Sequence, residues 1–292
     1  MSVLFALWHR AAYHGEKVTF SPSFLRKQEF TWKHLAKDHE SLEIFKAISK
    51  NDISRLRHFP DVNIKGDQGM TPLLWSLYEK NQRAFTILLE KGADSSASID
   101  RNWNFFQYER AMNRGGVNVP LDGFSVTSLA AGFYEPKYLN LILEHHGNPN
   151  SINPVTKLTP LFDLVTVTFV EETDDQVENF KALIKAGADI EYRLPRQDNL
   201  LFYTITQHYP RYILALLESG ADFRALNNRG EDCVMLLYPE LETDPRYGDI
   251  KKWMERVGFD FEAARKAAPT WTKPMTLPVE ERPWLPKRPV EE

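Results

Sequence analysis

The chain has 292 residues, with 36 Lys+Arg against 40 Asp+Glu, one Cys, 14 Gly and 18 Pro. At about 100–200 residues per domain this length allows one large domain or two small ones, and 42% apolar with 12% aromatic residues excludes a disordered composition. The lone Cys233 excludes a disulfide framework or a multi-thiolate metal site. No apolar run approaches the roughly 20 residues of a membrane-spanning helix, and a net charge of −4 gives no general attraction to nucleic acid. The charge is uneven. Residues 1–58 hold ten Lys+Arg and six Asp+Glu, which leaves 26 and 34 for the rest, and residues 159–192 alone carry eight acidic side chains and two basic ones. An acidic body behind a basic lead segment suits a partner with a basic face.

In chain order, Met1–Trp8 is apolar but too short for a secretion leader. The expected location is therefore cytoplasmic, or periplasmic where a leader has been removed. Residues 1–39 form an aromatic segment (Phe5, Trp8, Tyr13, Phe20, Phe24, Phe30, Trp32) suited to packing on the first repeat. Leu42, Ile44, Phe45, Ile48, Ile53 and Leu56 give residues 40–58 the pattern of a short helix pair.

From there one phrase recurs, an apolar helical run closed by Gly-Ala-Asp or a variant: Gly92-Ala93-Asp94, Gly147-Asn148-Pro149, Gly187-Ala188-Asp189 and Gly220-Ala221-Asp222. Weaker copies are Pro60-Asp61-Val62-Asn63 and Gly258-Phe259-Asp260. A second phrase comes ten residues later: Thr71-Pro72-Leu73, Thr159-Pro160-Leu161, Asn199-Leu200-Leu201 and Asp232-Cys233-Val234. Thr127-Ser128-Leu129 fits as a fifth copy delayed by an insertion of 23 residues. Thr, Asn or Asp before an apolar run accepts a backbone N–H and starts a helix, Pro suits the first turn, and Gly closes the helix in the left-handed region. The roughly twenty residues between the phrases hold two short antiparallel helices, whose apolar face only a stacked neighbour can cover.

Turn, helix pair and a period near 33 resemble the ankyrin repeat, with its T-P-L-H-x-A signature. The resemblance implies an all-α ankyrin-repeat solenoid of stacked helix-turn-helix units with atypical capping ends, spanning residues 40–266. The signature's His is replaced by Leu74, Ala130, Phe162, Phe202 or Met235, so its side-chain bonds between repeats are expected to be missing. Insertions are expected near 95–117 (Trp103, Phe105, Phe106, Tyr108), 167–177 (Glu171, Glu172, Asp174, Asp175) and 239–249, the acidic one either solvated or part of a binding face. The Pro-rich tail 267–292 favours an extended path; its Trp271 and Trp284 either clip onto the body or stay available to a partner.

Chemistry is sparse. No nucleophile-elbow, phosphate-loop, dinucleotide or zinc-protease motif occurs. His34 and His39 are splayed around a helix, His145-His146 precede a helix-closing Gly, and Cys233 sits in the capping phrase of the last repeat as a small buried thiol. The expectation is no enzyme, no catalytic residue, no cofactor and no metal. The ankyrin resemblance instead implies a protein partner held by turn tips and inner-helix ends, on a chain that is monomeric when free. The turn tips contribute Asp67, Gln68, Met70, Phe124, Thr156, Arg196, Asp198, Arg229 and Glu231; the helix ends contribute Tyr78, Glu79, Tyr134, Glu135 and Gln207. Residues 69–77, 150–154 and 226–231 further resemble bacterial ankyrin proteins encoded beside type VI secretion lipases, which implies an immunity protein that binds and inhibits a toxic phospholipase. The alternative is an ankyrin scaffold, or a secreted effector docking on a host or regulatory protein.

Overall fold

The computed structural model describes residues 32–34, 36–99, 123–168, 172–193, 199–271 and 275–286. Among them the regular structure is helical, with isolated β-bridges only at Ser98–Ser125 and Arg193–Asn199. The helices are α1 (His39–Ser49), α2 (Ile53–His58), α3 (Pro72–Tyr78), α4 (Gln82–Glu90), α5 (Val126–Phe133), α6 (Pro136–Glu144), α7 (Pro160–Thr166), α8 (Asp174–Lys185), α9 (Leu200–Thr206), α10 (Pro210–Glu218), α11 (Cys233–Thr243), α12 (Gly248–Arg256) and α13 (Phe261–Ala267). Consecutive helices pair, and the pairs stack into an inner layer (α1, α3, α5, α7, α9, α11) and an outer layer (α2 to α12, even numbers). Each pair is succeeded by a projecting loop, here called a finger, that leads into the next inner helix. This is an all-α solenoid of stacked helix-turn-helix units.

Local chemistry starts each inner helix. Asp38, Thr71, Thr159, Asn199 and Asp232 accept the backbone N–H three residues on. In the second full repeat that role belongs to Ser125, which accepts from Ser128 N at 3.0 Å, so the helix starts two residues before the expected Thr127. The shift moves Ser128, not Ala130, into the place of the signature His. Ser128 Oγ donates to Asp163 Oδ2 at 2.8 Å in the next repeat, so a side-chain bond between repeats survives where none is expected from the sequence.

The finger bases carry further bonds between repeats. Asn63 Nδ2 donates to the Gly92 carbonyl at 3.1 Å while Asp94 N donates to Asn63 Oδ1 at 2.7 Å. Asn150 repeats the clamp on Gly187 (2.8 Å) and Asp189 (2.7 Å), and Glu191 accepts from Asp222 N at 2.7 Å. At about 1 kcal/mol per net hydrogen bond, each clamp contributes on the order of 2 kcal/mol. The apolar interior, continuous from Ile44 to Leu285, supplies the larger share.

The insertions differ from expectation. Ile99 N donates to the Phe124 carbonyl and Gly123 N to the Ile99 carbonyl, forming the neck of the first insertion; its aromatics 103–108 lie outside the described residues. In the second, Glu172 is buried rather than solvated. Its carboxylate accepts from Arg211 N (2.8 Å) and Tyr212 N (3.0 Å), capping α10, whose own N-cap Tyr209 supplies no side-chain acceptor. Burial raises its pKa against those hydrogen bonds. The third lengthens the inner helix: α11 runs through Pro239 to Thr243 and a 3-10 turn comes next.

The tail clips on. Trp284 is 1% exposed. Arg282, with a side chain excluded from solvent, donates to Asp232 Oδ2 at 2.6 Å and to the Gly230 carbonyl at 2.5 Å. Trp284 Nε1 donates to the same Asp232 oxygen at 2.9 Å, while Asp232 Oδ1 caps α11. A carboxylate can do both jobs, which a Thr at this cap could not.

These buried groups have two measurable consequences. Arg282→Ala strands a buried carboxylate and lowers stability by about 3–5 kcal/mol, a drop in Tm of roughly 6 °C or more, with a red shift of Trp fluorescence; an unchanged Tm contradicts the clip. Burial also pushes the Asp163 carboxyl up to about 7, against the Ser128 bond that favours its charged form. The folded state therefore favours the protonated acid, a contribution complete below about pH 4 and lost as pH rises through about 7. Asp163→Asn is expected to match wild type near pH 4 and to exceed it by roughly 2–4 kcal/mol at pH 8; denaturant titrations at both pH values read the difference.

Candidate functional site

The residues expected to meet a partner fall at two edges of the array. The inner helices α3, α5, α7 and α9, of seven to eight residues and about 10–12 Å long, separate the fingers from the helix-to-helix loops. Between the edges the inner layer is closed: Pro72–Leu77, Val126–Gly132 and Pro160–Val165 are buried throughout. On this inner face the surface open to a partner is therefore in the loops.

Finger geometry repeats. In the first, Gly66 N donates to Met70 O at 2.7 Å; in the third, Asn153 N to Leu158 O at 2.8 Å; in the fifth, Asn227 N to Glu231 O at 3.0 Å. A left-handed residue precedes the last position each time: Gly69 (φ 78°), Gly123 (φ 78°), Lys157 (φ 65°) and Gly230 (φ 73°). That turn sends the next side chain back onto the helix it precedes, the N′ position where an apolar group packs inward.

Three expected contact residues occupy that inward place. Met70 and Phe124 are buried in the core, at 0% and 1% exposure. Glu231 is buried as well, its Oε2 accepting from Asn227 Nδ2 at 2.9 Å and its N–H donating to Asn227 Oδ1 at 2.9 Å. They shape the fingers and do not present side chains to a partner. Asp67, Thr156 and Arg229 are exposed. Gln68 lies in the first finger with its side chain outside the described set, and Arg196 and Asp198 lie wholly outside the described residues. The Arg229 carbonyl accepts from Met275 N at 2.8 Å, so the tail runs beside the fifth finger.

At the opposite edge, half-buried Tyr78 stacks on Trp75 at 5.1 Å. Glu79 accepts from Ser49 Oγ at 3.1 Å, and Ser49 Oγ accepts from Trp75 Nε1 at 2.9 Å, a chain that fastens α1 to the first full repeat. Partial burial raises the Glu79 pKa against the Ser49 bond. Tyr134 meets Tyr138 edge-on at 5.8 Å, and exposed Glu135 pairs with Lys137 at 2.6 Å, which holds its carboxyl below the usual range. Gln207 closes α9. Tyr134 and Glu135 share a cleft of about 210 Å³ with Lys80, Tyr138, Asp175 and Gln176. Asp175 and Gln176 come from α8, and no repeat phrase points to them.

Cys233 is placed as a structural group. Cys233 comes directly after the α11 cap, is 1% exposed, and its Sγ lies 3.2 Å from the Phe223 carbonyl; burial raises its thiol pKa well above the usual value, so it is no ready nucleophile. Among the described residues no cluster of three His, Cys, Asp or Glu has metal-binding geometry, and no helix is long and apolar enough to cross a membrane.

No protein-family model matches the chain, and no curated protein matches it. Among solved structures it is similar to the ankyrin repeat domain of Bcl-3, described as a unique member of the IkappaB protein family. That similarity has a TM-score of 0.42 and 16% identity, over 69% of this chain and 94% of that one.

Phe124→Ala tests the inward assignment. The expected cost is about 3–5 kcal/mol of stability, read by denaturant unfolding. A variant as stable as wild type would return Phe124 to the surface.

Proposed function

We propose that this protein is a non-catalytic recognition module that grips a protein partner with its fingers and helix-loop edge. The observation that carries the reading is the set of stacked fingers, spaced by Asn63, Asn150 and Glu191 and ending in exposed tips such as Asp67, Thr156 and Arg229. Loops set on a rigid scaffold suit recognition, because contacts made there lose little conformational freedom on binding.

The narrower role we propose is that of an immunity protein, which binds a toxic phospholipase of a type VI secretion system and blocks its active site or its access to membrane. It rests on the resemblance at residues 69–77, 150–154 and 226–231. Co-purification with the product of the adjacent gene, then a lipase assay, tests it. The expected result is a stable complex and loss of lipase activity at one equivalent of protein. A neighbour that is no hydrolase, or one whose activity persists at that ratio, contradicts the immunity role and leaves the scaffold or docking-effector reading.

A further inference from the structure

No finger follows α12. At Asp61, Asp94, Asp189 and Asp222 the carboxylate accepts the N–H two residues on and turns the chain outward into a finger. Asp260 stands at the same place after Gly258 but caps α13 at once, accepting from Ala263 N at 2.9 Å. Only Val257–Asp260 therefore lies between α12 and α13.

The side-chain clamp on this last turn is missing as well. Asn63 and Glu191 each stand two residues after a base aspartate and accept the N–H of the next turn, at Asp94 and Asp222. The matching residue of the fifth finger is Arg224, and a guanidinium has no acceptor. The tail supplies one: Asp260 N donates to the Trp284 carbonyl at 3.0 Å.

Between that base and the tip of the fifth finger the tail lies where a sixth finger would stand. Met275 N donates to the Arg229 carbonyl at 2.8 Å, and the Arg282 guanidinium joins the Gly230 and Leu277 carbonyls. Contact is close: a Cβ on Gly230 would meet Met275 O at 2.5 Å. The side chains alternate, as in an extended run with one face held. Met275, Leu277 and Val279 pack half-buried on the body, while Thr276, Pro278 and Glu280 are exposed. A cleft of about 390 Å³ opens between this segment and Arg224, with Val279, Pro283 and Leu285 in its wall.

We infer that residues 275–286 act as a sixth finger of the recognition edge, and that their free face, with Thr276, Pro278, Glu280 and Glu281, contacts the same partner as the finger tips. That role rests on the recognition reading above. Stacked helix pairs lie about 8–10 Å apart, which makes the edge from Asp67 to Glu280 about 40–50 Å long. The partner is therefore a folded protein of domain size or larger, not a short peptide. Because the segment is fastened before binding, contact costs it little conformational freedom.

The test places the photoreactive residue benzoyl-phenylalanine at one position at a time in the full chain: Glu280 on the tail, Thr156 and Arg229 on finger tips, and Lys252 on the outer layer, all exposed. Cross-linking in the native cells, then mass spectrometry, identifies what each position touches. The expected result is one and the same protein at 280, 156 and 229, and none of it at 252. With that protein purified, the variant T276A/E280S/E281S should bind it about fivefold or more weakly at an unchanged Tm, while K252S retains full affinity. Labelling at 156 and 229 without 280, or full affinity in the triple variant, overturns the inference and leaves the finger reading intact, the tail then being an end cap only. Absence of a common protein at 156 and 229 contradicts the recognition reading itself, and the sixth finger falls with it.

Discussion

One constraint runs through this molecule: a pair of short helices cannot cover its own apolar face, so each repeat is stable only while its neighbours stay in place. Stacking alone leaves the pairs free to slide. The side-chain bridges at the finger bases remove that freedom, because Asn63 and Asn150 each bind both a carbonyl and an N–H of the next Gly-Ala-Asp turn. The amide is suited to this because it donates and accepts from one planar group. Glu191, in the same place of a later repeat, keeps only the accepting half toward Asp222 and uses its second oxygen to receive Asn199 Nδ2 at 3.2 Å. The same bridges that stabilise the stack set the spacing of the fingers. In the proposed role, stability and recognition therefore share residues.

The ends meet the same constraint by other means. At the front, Trp75, Ser49 and Glu79 form a polar chain between α1 and the first full repeat. At the back, the last repeat has no successor to bridge, and the tail takes that place with Arg282 and Trp284 on Asp232. Where α10 lacks a cap of its own, Glu172 arrives from the preceding repeat to provide one. In each case a buried polar group is matched by a partner far along the chain, as the cost of leaving it unmatched requires.

The range of each interaction decides how much of it is legible in the amino acids. Thr71-Pro72 and Thr159-Pro160 announce their helices because capping acts over three residues. Gly92, Gly187 and Gly220, all left-handed, end theirs for an equally local reason. Ser125 escapes notice because Thr127-Ser128-Leu129 imitates the capping words two residues later, and the preceding insertion breaks the spacing that would settle the register. Met70 and Phe124 read as tips because their places in the finger are right; only the left-handed turn at Gly69 and Gly123 shows that their side chains point inward. Glu172 looks like one acid among several in a charged loop, and its partners Arg211 and Tyr212 lie about forty residues away.

If the amide bridges hold the repeats in register, the N–H groups of Asp94 and Asp189 owe their protection from hydrogen exchange to Asn63 and Asn150. The decisive measurement is native-state exchange at these two amides in wild type and in the single variants Asn63→Ala and Asn150→Ala. The expected result is at least about tenfold faster exchange at Asp94 in the first variant alone and at Asp189 in the second alone, the equivalent of one hydrogen bond of about 1.4 kcal/mol. Equal exchange rates in wild type and variants would show that apolar packing alone aligns the repeats and that the bridges are incidental.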